Sequence, residues 1–167
     1  RIPYEIFVND PVTKTISNSN GTYWVKDTDK VTIYTKAEGS SEYICQGEYT
    51  YAGEQKFTGS KGTLGGFNYW YCIYPSNSAT AGSTSSSISS NVSIGAVAPD
   101  YTQTQTCVDS RSHIAGEHYP MFGTTSAESG VQPRFTNTGH LSALVAVKIA
   151  NSTDNPITIN QIALEAT

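Results

Sequence analysis

Eight consecutive residues, Phe67-Asn68-Tyr69-Trp70-Tyr71-Cys72-Ile73-Tyr74, are almost entirely aromatic or apolar and stop at Pro75. On a pleated strand successive side chains alternate between two faces, so this run is aromatic on both. Apolar character on both faces predicts a central, fully covered strand. The following proline cannot donate to a ladder and ends it. A chain with such a strand needs further strands on either side.

The rest of the sequence supplies them. Ile2, Tyr4, Ile6 and Val8 alternate with Pro3, Glu5, Phe7 and Asn9, a period of two. Lys14 to Ile16 predicts a short second strand. Tyr23 to Val25 leads into an acidic turn at Asp27-Thr28-Asp29. Val31 to Thr35 is β-branched at four of five positions. Tyr43, Cys45, Gly47, Tyr49 and Tyr51 fall on one face of a further strand, with Ile44, Gln46, Glu48 and Thr50 on the other. Residues 59–66 carry four glycines and read as a hairpin loop. Residues 76–93 have the composition of a surface loop, with Ser87 to Ile94 as a candidate strand. Residues 98–130 show few periodic apolar positions.

The last third alternates again. Leu141, Ala143, Val145, Val147 and Ile149 share one parity. The same stretch also fits a helix at Leu141, Leu144, Val145, Lys148 and Ile149. Its β-branching and the turn at Asn151 to Pro156 favour a strand. Ile157 and Ile159 then face one way, while Ile162 and Leu164 switch parity, which predicts a bulge near Asn160-Gln161. In all, seven to nine strands and no helix are expected. Such spacing points to an all-β, antiparallel β-sandwich in a single domain spanning 1–167.

Composition agrees and narrows the function. Only 14% of the residues are charged, against about 25% in ordinary globular domains, and Ser and Thr take their place with 20 and 21 copies. The net charge is -4, with ten scattered basic residues, so no nucleic-acid partner is expected. No apolar run reaches the roughly 18 residues of a transmembrane segment. Cys45, Cys72 and Cys107 allow at most one internal bridge. Cys45 and Cys72 lie within aromatic strands and read as buried, inert thiols; a Cys45–Cys72 bridge is the alternative if their strands are neighbours.

Catalytic and metal-binding patterns are weak. His113, Glu117 and His118 resemble a zinc site in content. Their histidines are five apart rather than four, and Gly116 interrupts any helix. His140 reads as a packing residue at a strand entrance. No G-x-S-x-G nucleophile elbow occurs. Asp10, Asp27 and Asp29 supply too few oxygens for calcium. The glycine-rich stretch lacks the Gly-Lys-Ser/Thr end of a phosphate loop. No enzymatic activity, cofactor or metal is expected. Tyr49, Tyr51, Tyr69, Trp70, Tyr71 and Tyr74 form either a sugar-stacking platform or, as we favour, core and cross-strand pairs.

Three blocks resemble the fimbrillin-like pilin family of Bacteroidetes. The first runs from Gly21 to Tyr34, a tryptophan before a short acidic turn and a β-branched strand. The second comprises Phe57-Thr58-Gly59, the glycine loop and the aromatic strand ending at Tyr74-Pro75. The third extends from Arg134 and Phe135 through His140, Lys148, Asn151 and Thr153 to Leu164. The order and spacing of the blocks are similar to those of the family's amino-terminal domain. The resemblance implies a transthyretin-like sandwich with Greek-key connections. It implies export as a lipoprotein precursor to the outer membrane and cell surface. It also implies a structural or adhesive role in a fimbria built by donor-strand exchange, after cleavage following an arginine. Its partners would be other pilin subunits and a host glycan or protein receptor. Family members usually carry a second sandwich downstream. Arg1 would mark the processing site, with the mature strand starting at Ile2. The strand through Leu141, Ala143, Val145, Val147 and Ile149 would line the assembly groove or core. A carbohydrate-binding β-sandwich module is the alternative.

Overall fold

The computed structural model describes residues 1–8, 16–18, 21–88, 120–141 and 149–163. The described residues are all-β, with no helix. The strands are β1 (Ile2–Val8), β2 (Ile16–Asn18), β3 (Gly21–Tyr23), β4 (Lys30–Ala37), β5 (Tyr43–Gly53) and β6 (Lys56–Lys61). They continue with β7 (Phe67–Tyr74), β8 (Thr84–Ser85), β9 (Met121–Glu128), β10 (Arg134–Phe135) and β11 (Asn137–His140). Strands β2 and β3 form a separate two-stranded ribbon.

The main sheet runs in the order β10-β1-β6-β5-β4-β7-β9-β11, with β8 added to β5. All its neighbours are antiparallel except β1 and β10. Its two terminal strands, β10 and β11, are separated in sequence by Thr136 alone. One short stretch of chain therefore pairs with β1 at its start and with β9 at its end. The sheet curls almost into a barrel as a result. Within it, β7 returns to lie beside β4, giving the spatial order β7-β4-β5-β6.

The curl brings inward-facing side chains from opposite strands together. Tyr4 on β1 stacks on Trp70 of β7, with centroids 5.7 Å apart and planes 11° from parallel. Trp24 meets Phe57 and Tyr74 edge-on at 5.0 and 5.1 Å. Ile6, Val8, Val31, Ile33, Tyr49, Cys72 and Phe135 complete the interior. Offset and edge-on geometry is what ring quadrupoles prefer, and each such pair adds about 0.5–1.5 kcal/mol beyond area burial.

Strand β5 carries the main irregularity. Ile33 pairs with Gly47, but Tyr34 pairs with Cys45, which leaves Gln46 as an extra residue. Gly47 sits at φ 99°, a conformation that costs residues with a Cβ. The bulge reverses the parity expected along Tyr43 to Tyr51. Tyr49 faces the interior, whereas Cys45 packs with Tyr34 and Ile73 on the outer face. Gln46 holds the bulge: its Nε2 donates to Thr35 Oγ1 at 2.7 Å, and its Oε1 accepts from Gly62 N–H at 2.9 Å.

Strands β5 and β7 flank β4 and are not neighbours, so Cys45 and Cys72 lie in separate clusters as the buried free thiols that the sequence favours over a bridge. Other expectations need correction. Strand β7 is central, but its outer face is only partly covered, because Tyr69 remains exposed. Gly59 to Lys61 belong to β6 rather than to a loop. Strand β9 forms inside the stretch that showed no pattern. Residues 149–163 form no strand and are exposed, so the strand expected from Ile157 is absent. The bulk of the candidate strands Lys14 to Ile16 and Ser87 to Ile94 lies outside the described residues.

Candidate functional site

The first candidate surface is the carboxyl-terminal segment. Asn151 closes a local turn, with its Oδ1 accepting from Thr153 N–H at 2.9 Å and its Nδ2 donating to Asn155 O at 2.8 Å. From Pro156 to Ala163 the chain is exposed and forms no strand. Ile157, Ile159 and Ile162 are 55%, 48% and 55% exposed, and none of the described residues pairs with their backbone. Fully burying one such side chain is worth about 1.5–3 kcal/mol.

The second is the margin of β1. Only Phe7 and Val8 pair with β10, so among the described residues Ile2 to Ile6 have no strand on that side. Phe7 N–H reaches Pro133 O at 3.0 Å. Tyr4 Oη donates to Val131 O at 2.9 Å, and Gln132 Nε2 donates to Glu5 Oε2 at 3.2 Å. Arg1 lies at the foot of this strand. Its guanidinium donates to Gln46 O, to Ser60 O at 2.5 Å and to Ser60 Oγ at 3.2 Å. The side chain is thus laid across β5 and β6 rather than extended into solvent.

The remaining residues expected in the groove divide. Leu141 follows β11 and is exposed, and its N–H donates to Pro120 O at 2.8 Å. Ile149 is also exposed. Ala143, Val145 and Val147 lie outside the described residues, as do Asp10, Cys107, His113, Glu117 and His118.

The third surface is the outer face of β4, β5, β7 and β9. The six expected platform residues split between two faces. Tyr49, Trp70 and Tyr74 are interior, and Tyr51 packs against them. Tyr69 and Tyr71 look outward and meet Tyr43, Phe67 and Phe122. Tyr43 lies 5.2 Å from Tyr71, near edge-on. Lys36 Nζ stands 5.1 Å above the Tyr43 ring and 5.8 Å above that of Tyr69. Burial raises the Tyr71 hydroxyl pKa, and the neighbouring Tyr43 raises it further. Tyr43, Lys36 and Phe122 were not foreseen here. The signal that would have found Tyr43 is Gly47, since a glycine inside a strand pattern marks a bulge.

A small polar cluster sits above this face. Glu48 Oε2 accepts from Ser76 Oγ at 2.7 Å, and its Oε1 accepts from Lys30 Nζ at 3.1 Å. The Ser76 hydroxyl, then Lys30, hold the Glu48 carboxyl below its ordinary pKa. Both Glu48 oxygens are engaged by the chain's own groups. The acidic turn is also internally satisfied: Asp29 is buried and its Oδ2 accepts from Val25 N–H at 2.5 Å. Among the described residues, no group of three His, Cys, Asp or Glu side chains is placed to hold a metal. No helix among them is long and apolar enough to cross a membrane.

No family model, curated protein or solved structure matches the chain.

Proposed function

We propose that this protein is a structural or adhesive subunit of a bacterial cell-surface fimbria, without enzymatic activity, that assembles by strand addition between copies. The carrying observation is the segment 156–163: an isoleucine-bearing stretch, exposed and in no strand, in a chain whose described elements are all strands. Added to another subunit's sheet, it would gain main-chain hydrogen bonds and seat alternate side chains in pockets. Ile157 and Ile159 supply one face, and a bulge at Asn160-Gln161 would bring Ile162 to the same side.

The resemblance in three blocks supports a fimbrillin-like, transthyretin-like amino-terminal domain, and the return of β7 beside β4 supports Greek-key connections. An outer-membrane location, a lipoprotein precursor and processing at Arg1 belong to the same reading. Carbohydrate binding is the second reading, favoured by the outward rings of Tyr69 and Tyr71.

The test compares the full chain with a version ending at Asn155 and with an Ile157→Asp, Ile159→Asp double variant. The full chain is expected to form oligomers stable in mild denaturant. The truncated and double-variant chains should remain monomeric with unchanged melting temperatures. Equal oligomerisation of all three would refute the reading. So would a large loss of stability on truncation, because the segment would then be part of its own subunit's sheet.

A further inference from the structure

We infer that the outer face of β7 and its neighbours is a binding platform for an acidic glycan, a sugar carrying a carboxylate, centred on Tyr69 and Lys36. The inference does not rest on the assembly reading and holds for a monomer.

The platform has two halves. Tyr69, 38% exposed, and its edge-on partner Phe67, 5.4 Å away, offer ring surface to solvent. Such rings pack against the apolar C–H face of a pyranose. Beside them on β9, Ser126 pairs with Tyr69 and Thr124 with Tyr71, so hydroxyls line the rings on the same face. A flat ring edged by hydroxyls suits a polyol, whose own face is apolar and whose rim is polar.

Lys36 sets the charge. It pairs with Tyr69 across β4 and β7, and its ammonium sits near two phenol rings. Among the described residues it makes no ion pair, whereas Lys30 and Lys56 are engaged by Glu48 and Glu5. The chain carries a net charge of -4, so a cation set within an aromatic patch and outside the ion pairs of the described residues is a local feature. A lone ammonium matches a sugar carboxylate. It is too little charge for an anionic membrane, which recruits clusters of basic residues. Glu128 pairs with Phe67 at the other end of the platform. The ligand's carboxylate is therefore directed toward Lys36 and its neutral end toward Phe67.

The test uses calorimetry and amide chemical-shift mapping on the full chain. The probes are trigalacturonate against neutral galactotriose, and 3′-sialyllactose against lactose, which separate a uronate from a sialate source. Saturable binding of an acidic probe, weakened by added salt, is expected, with weaker binding of its neutral counterpart. Tyr69→Ala should abolish both and Tyr69→Phe should retain both. Lys36→Gln should weaken the acidic probe about tenfold, as expected for losing a charged hydrogen bond, and leave the neutral one unchanged. Shifts should concentrate at Lys36, Tyr69 and Ser126. Absence of binding by any probe would overturn the inference. So would unchanged affinity in Tyr69→Ala, or an unchanged acidic-to-neutral ratio in Lys36→Gln.

Discussion

Replacing Tyr49 by phenylalanine should stabilise this protein, although tyrosine-to-phenylalanine changes in cores usually do the reverse. Tyr49 is fully buried in the interior, and among the described residues its hydroxyl has no hydrogen-bond partner. A buried unsatisfied polar group carries a penalty of about 1–3 kcal/mol. The oxygen's own packing returns only a few contacts of about 0.1–0.2 kcal/mol each. Removing it should leave a net gain of about 1–2 kcal/mol. For a chain of this size that is a rise in melting temperature of about 3–6 °C. Tyr34→Phe is the matched control. Its hydroxyl accepts from Asn77 Nδ2 at 2.7 Å, so its removal strands a donor and should cost about 1 kcal/mol. Thermal melts and urea titrations, with equal slopes across the three proteins, read both effects. If Tyr49→Phe lowers stability as much as Tyr34→Phe, the hydroxyl has a partner, such as a trapped water, and the reasoning fails.

Gly59→Ala should destabilise by about 1–3 kcal/mol through overpacking, because a Cβ there would lie 2.6 Å from the Tyr49 ring and 2.8 Å from Glu48 O. Urea midpoints measure it, and an unchanged midpoint would contradict the packing. Cys45 and Cys72 should resist a thiol reagent in the native state and react after denaturation, since burial pushes both thiols up. Peptide mapping without reductant should show no bridge between them. Glu48 has a depressed folded-state pKa, so its stabilisation is present above its unfolded value and fades as pH falls through the folded one. The melting-temperature difference between the parent and Glu48→Gln should therefore close on acidification, and a constant gap would refute the assignment. Burial raises the tyrosine pKa values at positions 4, 34 and 49, a contribution present below the unfolded value near 10 and lost as pH rises through the folded ones. Absorbance at alkaline pH should show Tyr49 ionising only as the protein unfolds.

Strands were legible where packing demands large or β-branched side chains. Tyr4, Ile6 and Val8, then Val31 and Ile33, then Trp70 and Tyr74 put such residues into the interior. Strand β9 was hidden for the complementary reason. Of its inward positions only Met121 is large; Gly123, Thr125 and Ala127, opposite Cys72, Trp70 and Asn68, are small and give no apolar alternation. Gly59 looked like a loop residue, but it is small because the Tyr49 ring lies against it. The bulge at Gln46 was concealed by regular alternation on both sides of it. For the candidate surfaces, the tail's isoleucines were visible as a pattern. Whether a partner strand lies beside them depends on contacts far apart in sequence, which periodicity does not encode.

The margin of β1 bears on how strand addition would proceed. Val8 N–H donates to Gln55 O on the β6 side, and Phe7 N–H donates to Pro133 O on the other. Alternation along a strand then directs the Glu5 amide outward as well, while Pro3 has no N–H to offer. Among the described residues, the open part of this edge therefore presents one outward strand donor, the Glu5 amide, on a residue that is itself charged and lies two positions from a proline. Proline and charge are common devices for discouraging edge-to-edge pairing. The 129–133 turn already lies along the same margin, held by Tyr4 and Gln132. In this conformation the β1 margin is thus poorly equipped to accept a strand. Addition at this margin would exchange the 129–133 contacts for those of the incoming strand, and the three contacts that lay Arg1 across β5 and β6 would have to yield if that exchange begins at the amino terminus.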